Sequence, residues 1–396
     1  MPITHIAFLQ DLHSLNGAVR VSIDTANYLS ERFGIKTTFV NPLKEHTESN
    51  VSIPLAEGIN EVFLGGYRKG HTQEDSRLLN DLIVREGIQL LFIPYPGKVL
   101  ALDLSSIKSC KTAIWHHEHP YGKIIRKRRL MHNLREAPLG RQIDYFLTQW
   151  PRYYLFRGLT KKRTQCELKE KISQADYLIT LTEDYRRLMI KDLNLDTQTG
   201  SKIAVLRNTL TIEPAPSLEK EKLAVFMGRI MRDTKQADLL FDIWKVCARA
   251  LPDWRFEFYG KGSFTKTLEK KIADSGLSNI AYKGYSSDPN GVFGRAAFSC
   301  ITSSTEGYCL AITEAQNQGC IPIAFDTPGA FHEVIGTDNP AGVLIKPYDK
   351  DAYASALIRL AKDDSLRAKM QGRVLEHRHF YDRSTNDETW KKLLEL

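Results

Sequence analysis

Two glutamates, Glu306 and Glu314, are separated by seven residues in a stretch that reads Ser303-Ser304-Thr305-Glu306-Gly307-Tyr308-Cys309-Leu310 and continues in a helical pattern closed by Gly319. A tight turn containing glycine lets the backbone N–H groups of Gly307, Tyr308, Cys309 and Leu310 face a diphosphate or sugar oxygen at the start of a helix. The helix dipole also favours negative charge there. Glu306 can accept hydrogen bonds from sugar hydroxyls. Glu314, two turns on, can accept both hydroxyls of a ribose. That chemistry suits a nucleotide sugar. On spacing alone, a helix-capping Glu306 and a solvated Glu314 fit as well.

A second group lies upstream, where Gly228-Arg229 is followed by Lys235. An arginine in a loop and a lysine entering the next helix offer a fork and a point charge to one pyrophosphate. Either cation alone is most often a solvated surface residue. Gly260-Lys261-Gly262 marks a strand-to-helix turn and, taken alone, ordinary turn chemistry. In His116-His117-Glu118-His119 the side chains alternate, so at most two of the four share a face. A metal site therefore competes poorly with a structural role at a strand end.

These residues sit in a chain that alternates β-branched runs with helical patterns, the signature of a parallel α/β sheet. Strands are expected at 5–10, 36–40, 61–64, 89–94, 112–116, 177–181 and 203–206. A second set is expected at 223–227, 256–259, 280–283, 298–302, 321–325 and 343–345. Between the two sets, residues 211–221 read TIEPAPSLEKE, polar and without periodicity. The expected organisation is a first domain over 1–212, a linker at 213–221, a nucleotide-binding domain over 222–375 and a terminal segment over 376–396. Ligands of open α/β sheets bind outside the carboxyl ends of the strands, where Gly17, His116, Arg229, Glu306 and the turn at Gly260 all fall.

At 396 residues, 42% of them apolar and 26% charged, the chain has the composition of an ordinary globular protein. No window approaches the ~18 apolar residues of a membrane span, and the amino terminus lacks the features of an export signal. Six cysteines without a C-x-x-C pair lead to an expectation of reduced thiols in a cytoplasm. The net charge of +8 is concentrated: residues 121–171 alone hold 14 Lys and Arg against 4 Asp and Glu, interleaved with aromatics from Tyr145 to Phe156. Such a mixture suits an anionic bilayer surface or an anionic lipid-linked glycan. An ordinary insertion packed on its domain is the other reading.

The stretch from Ser303 to Ile335 resembles the E-x7-E motif of the retaining GT-B glycosyltransferases of family four, and Val225 to Leu240 resembles the family's G-R-x5-K signature. The resemblance spans nearly the whole chain and is detailed over 223–345. It implies two facing Rossmann-like domains with a cleft between them, and retention of configuration. It also implies a clamp on the donor diphosphate by Arg229 and Lys235, contact between the Gly260–Gly262 turn and the donor base, and a terminal helix crossing back to the first domain. Through it His116 is expected near the transferred sugar and Gly17 near the donor, although the family's paired glycines are reduced here to one. The implied partners are a nucleotide diphosphate sugar and a glycan or lipid-linked acceptor, without metal, cofactor or nucleic acid. The expected location is cytoplasmic, at the inner face of the plasma membrane if the basic segment binds there. A sugar-nucleotide epimerase or phosphorylase on the same fold, and a non-enzymatic nucleic-acid binder, are the alternatives.

Overall fold

The structure is a computed structural model that describes residues 1–13, 17–42, 54–65, 72–95, 102–129, 139–212 and 216–396. The chain divides into two compact units. The first comprises Met1–Pro120, Lys162–Thr209 and Arg383–Leu396; the second comprises Tyr121–Lys161 and Leu210–Asp382.

In the first unit, β1 (His5–Leu9), β2 (Lys36–Asn41), β3 (Ile59–Phe63), β4 (Leu90–Tyr95), β5 (Lys111–His116), β6 (Tyr177–Thr180) and β7 (Ile203–Val205) form one sheet in the order 3-2-1-4-5-6-7. Every neighbouring pair is parallel. Parallel strands are covered on both faces by helices and so read as continuous apolar runs, which is why His-Ile-Ala-Phe-Leu is buried throughout β1. Register sets Phe8 opposite Phe39 on one side and Phe92 on the other, with ring centroids 5.2 and 5.0 Å apart. Trp115 and Trp390 extend this aromatic layer.

Trp390 comes from the terminal helix Asp387–Leu394, whose Trp390, Leu393 and Leu394 are buried. The Ile3 N–H donates to the Leu394 carbonyl at 2.8 Å. The helix expected to begin near 376 is in fact broken: an α-helix ends at His377, short 3-10 turns follow, and only Arg383–Leu396 belongs to the first unit.

The second unit holds β8 (Glu221–Met227), β9 (Arg255–Tyr259), β10 (Ile280–Gly284), β11 (Ala296–Ile301), β12 (Ile321–Phe325) and β13 (Val343–Ile345), in the order 10-9-8-11-12-13 and again all parallel. The order reverses between β8 and β11, so the loops after these two strands adjoin a topological switch point. Residues 213–215 of the expected linker lie outside the described residues. Its end is not a linker, because β8 already begins at Glu221 and Lys220 Nζ donates to the carbonyls of Gly294 and Gln318, both at 2.6 Å. The basic segment also groups differently from the expectation. Tyr121–Lys161 joins the second unit, whereas Leu168 and Ile172, farther along helix Arg157–Gln174, enter the core of the first.

Candidate functional site

The loops after β8 and β11 are fastened side to side. Thr302 Oγ1 donates to the carbonyls of Lys235 at 3.0 Å and Gln236 at 3.1 Å. The Ser304 N–H reaches the Thr234 carbonyl at 2.8 Å, and its hydroxyl donates to Asp233 at 3.1 Å. On the far side, the Glu306 N–H and the Thr305 hydroxyl both donate to the Pro328 carbonyl, at 3.1 and 2.9 Å. The backbone thus brings Lys235 Nζ to 2.5 Å from Glu306 Oε1 in a pair that is only 22% and 11% exposed. Burial by itself would lower the lysine pKa, but the Glu306 carboxylate outweighs it and the net displacement is upward. The ammonium is therefore charged at neutral pH.

Arg229 is exposed, and its positive charge acts on Lys235 against that rise, so the two cations share one neighbourhood. Glu314 is buried in the second turn of helix Leu310–Asn317. Cys309 stands at that helix's N-cap with φ at +69°, a left-handed conformation uncommon for a side chain with a Cβ. Burial, first, and then the Glu306 carboxylate push its thiol pKa upward, so it is not an ionised nucleophile. Gly307 and Tyr308 complete the turn, with Tyr308 buried, and Leu310 opens the helix.

The glycine turn has a packing cause that the sequence did not disclose. A Cβ on Gly260 would fall 1.9 Å from the Gly228 carbonyl oxygen, and one on Gly262 would fall 2.2 Å from that of Ile230. The Gly228 N–H donates to the Tyr259 carbonyl and the Ile230 N–H to that of Lys261, both at 3.1 Å. Gly260 and Gly262 therefore let one strand-end loop lie flat against the loop carrying Arg229. On the other flank, a Cβ on Gly329 would meet the Phe331 ring at 2.8 Å and come within 3.3 Å of the Glu306 Cβ. Thr302, Ser304 and Gly329 were missed in the sequence; hydroxyl residues directly after a strand, able to bond neighbouring backbone, were the available signal for the first two.

Gly17 and His116 lie in the first unit. Gly17 is the exposed first residue of helix Gly17–Phe33, while Leu15 and Asn16 of its turn lie outside the described residues. His116 ends β5, buried, with Nδ1 2.8 Å from the Glu118 carbonyl. A carbonyl only accepts, so Nδ1 carries the proton. Burial lowers the His116 pKa to about 4, which leaves Nε2 an acceptor at neutral pH. His117 stacks on Trp115 with centroids 4.9 Å apart, and His119 meets Tyr185 edge to face at 5.1 Å. The three rings thus have separate partners. Among the described residues no group of three or more His, Cys, Asp or Glu is placed to hold a metal ion, and all six cysteines are free. No described helix is long and apolar enough to cross a membrane.

Two doubly wound parallel α/β units, the second with its cations and carboxylates at a switch point, have the GT-B fold, shared with solved glycosyltransferase structures. The Anabaena protein HepE in complex with UDP and glucose superposes over 99% of this chain and 100% of its own with a TM-score of 0.69 at 15% identity, a likeness of fold alone.

Residues 209–374 match the family model described as glycosyl transferases group 1, which covers Gly228, Arg229, Lys235, Gly260, Gly262, Glu306 and Glu314. The chain is 27% identical over 148 residues to the poly(glycerol-phosphate) alpha-glucosyltransferase of Bacillus subtilis, covering 37% of this chain and 22% of that protein. It is 26% identical over 221 residues to the poly(ribitol-phosphate) alpha-N-acetylglucosaminyltransferase of Staphylococcus aureus, covering 54% and 43%. The chain thus spans less than half the length of these two relatives. Neither the epimerase or phosphorylase alternative nor the nucleic-acid alternative gains support from them.

Proposed function

We propose that this chain is a glycosyltransferase that moves a sugar from a nucleotide diphosphate sugar to a hydroxyl of a glycan or lipid-linked acceptor. The observation that carries the reading is the Lys235–Glu306 pair, held between the loops of β8 and β11 beside Arg229 and Glu314, inside the segment that matches the glycosyl transferases group 1 model. The names of the two curated relatives support a glycan-type acceptor, and the UDP complex supports a nucleotide-sugar donor.

In this mechanism the bond from the sugar's anomeric carbon to the diphosphate breaks, and one to the acceptor oxygen forms on the same face. A diphosphate oxygen takes the acceptor proton. Arg229 and Lys235 stabilise the charge that develops on the leaving diphosphate, as oriented donors do at an oxyanion. Glu306 accepts from sugar hydroxyls and Glu314 from the ribose. The turn Gly307–Leu310 and the glycines at 17, 228, 260 and 262 bring backbone to the donor, and His116 Nε2 accepts from the reacting sugar. Retention and membership of family four belong to this proposal, as do independence of metal and a peripheral cytoplasmic location at an anionic membrane surface reached through 121–171.

A thermal-shift screen against UDP-, GDP-, ADP- and dTDP-sugars tests it, because a ligand that binds only the folded chain raises its melting temperature. One donor class should stabilise the protein and then support transfer. No shift with any donor, or a shift abolished only by changes outside residues 228–314, would reject the donor-site reading.

A further inference from the structure

The described residues carry fourteen large hydrophobic side chains that are exposed, and seven of them fall between Leu139 and Leu159. That density in so short a stretch is not the scatter of single apolar residues normal on a surface. The stretch is helical almost throughout: α over Leu139–Asp144, π over Tyr145–Gln149 and Pro151–Leu155, then α from Arg157. Leu139, Ile143, Phe146 and Leu147 are 50% to 72% exposed. Tyr145 and Tyr153 are buried at 3% and 4%, so the segment has an inner side and an outer apolar one. Leu155 and Phe156 continue the exposed apolar surface at 63% and 54%.

Charge identifies the occupant. From Leu139 to Lys161 the sequence holds Arg141, Arg152, Arg157 and Lys161 against a single acid, Asp144. Arg152 and Arg157 are exposed beside Leu155 and Phe156. Trp150 is half-buried and stacks on Tyr154 with centroids 5.9 Å apart, the aromatic and basic mixture of an interfacial helix.

We propose that the exposed apolar face of residues 139–159 inserts into the surface of an anionic phospholipid bilayer, with Arg152 and Arg157 at the headgroups. This deepens the peripheral-membrane part of the proposed function and moves its centre. Attachment comes from Ile143, Phe146 and Leu147, with charge as an aid, whereas the sequence alone pointed to the basic and aromatic segment 121–171 as a whole.

The five tryptophans supply the test. Trp115, Trp244, Trp254 and Trp390 are buried, so Trp150 is the one placed to respond to lipid. The full chain is mixed, without donor or acceptor, with phosphatidylcholine vesicles containing or lacking phosphatidylglycerol, some carrying brominated acyl chains that quench nearby indole. The expected result is co-sedimentation with the anionic vesicles and quenching of Trp150. High salt should weaken binding without abolishing it.

Ile143→Ser/Phe146→Ser/Leu147→Ser should weaken partitioning roughly tenfold or more while leaving the melting temperature of the protein in place. Phe146→Leu, which keeps the apolar face, should bind as the parent does and guards against a folding artefact. Absence of binding, binding without quenching, binding lost entirely with salt, or a dimer in light scattering that the triple variant dissociates would each overturn the proposal. Donor stabilisation is read separately, so failure at the membrane and failure of the transferase reading remain distinct.

Discussion

Lys235 Nζ and Glu306 Oε1 meet at 2.5 Å although the two residues are 71 apart in the chain. The cation proposed for the diphosphate and the carboxylate proposed for the sugar are thus one electrostatic unit. Lys235→Ala should lower kcat/KM by roughly two to three orders of magnitude, as for loss of a donor aimed at developing charge. The pair ties the same lysine to folding. Removing the lysine leaves a mostly buried carboxylate without its cation. A cost of about 2 kcal/mol is expected, below the ~3 to 5 of a fully buried pair because both groups retain some solvent. In a double-mutant cycle by chemical denaturation, Lys235→Ala/Glu306→Ala should be less destabilised than the sum of the single variants; additivity would mean that the pair contributes nothing.

Gly260→Ala and Gly262→Ala should be among the most damaging single-methyl additions in the second unit. The added carbon meets backbone carbonyls at 1.9 and 2.2 Å, and Gly260 also has φ at +125°, where side chains are strained. Backbone cannot rotate away as a side chain can, so each change should cost more than ~2 kcal/mol. Thermal unfolding measures this. Gly276→Ala is an informative comparison: its φ of +67° carries strain, but nothing lies within 4 Å of its Cβ. Equal losses at 260 and 276 would place the cause in backbone strain rather than in the contact between the two loops.

The histidines at the end of β5 and just beyond it should make the protein sensitive to acid earlier than its carboxylates would. Burial lowers the pKa of His116 to about 4, His117 to about 3 and His119 to about 4, from an ordinary value near 6.5. Between those values the unfolded chain binds more protons than the folded one, so stability falls as pH drops from about 6.5 towards 4, at up to ~1.4 kcal/mol per pH unit for each histidine. Denaturant midpoints measured from pH 7 to 4.5 should decline steadily, and His117→Phe, which preserves stacking on Trp115, should flatten the slope. A flat stability profile above pH 5 would show that these rings are charged or exposed in solution.

Chelation should leave transfer intact. In the proposed mechanism Arg229 and Lys235 supply the positive charge that a divalent ion would otherwise supply, and the rings of His116, His117 and His119 engage separate partners. Initial rates with and without EDTA check this; loss of activity reversed by a divalent ion would require a metal in the mechanism.

The strands were legible because buried parallel strands are short continuous apolar runs, and Ile321–Phe325 and Val343–Ile345 occur at their expected limits. β8 begins earlier than expected because Glu221 and Lys222 are exposed at its entrance and carry no apolar signal. Trp390, Leu393 and Leu394 disclosed the terminal helix through their spacing, whereas its 3-10 approach, Arg378–Tyr381, has no comparable periodicity. At the candidate site, the residues that bear charge could be picked out by type. The contacts that aim them could not, since the Thr302 hydroxyl on the Lys235 carbonyl and Gly260 against Gly228 join segments distant in sequence. The stretch around Tyr145–Leu155 was unreadable for a different reason: a π-helical pitch follows neither of the two periods that sequence patterns reveal.

Because Arg383–Leu396 completes the first unit, that unit is not finished when its own sheet has been made. During synthesis even β7, the last strand of that sheet, leaves the ribosome nearly two hundred residues ahead of Trp390, at roughly 5 to 20 residues per second. The aromatic layer of Phe92 and Trp115 lacks its cover for that interval, and Ile3 has no Leu394 carbonyl to bond. The second unit, contiguous from Leu210 to Asp382 apart from its earlier segment, is the one able to consolidate first. Nascent chains stalled before residue 383 should therefore expose a sticky amino-terminal sheet to chaperones, and chains released beyond it should not.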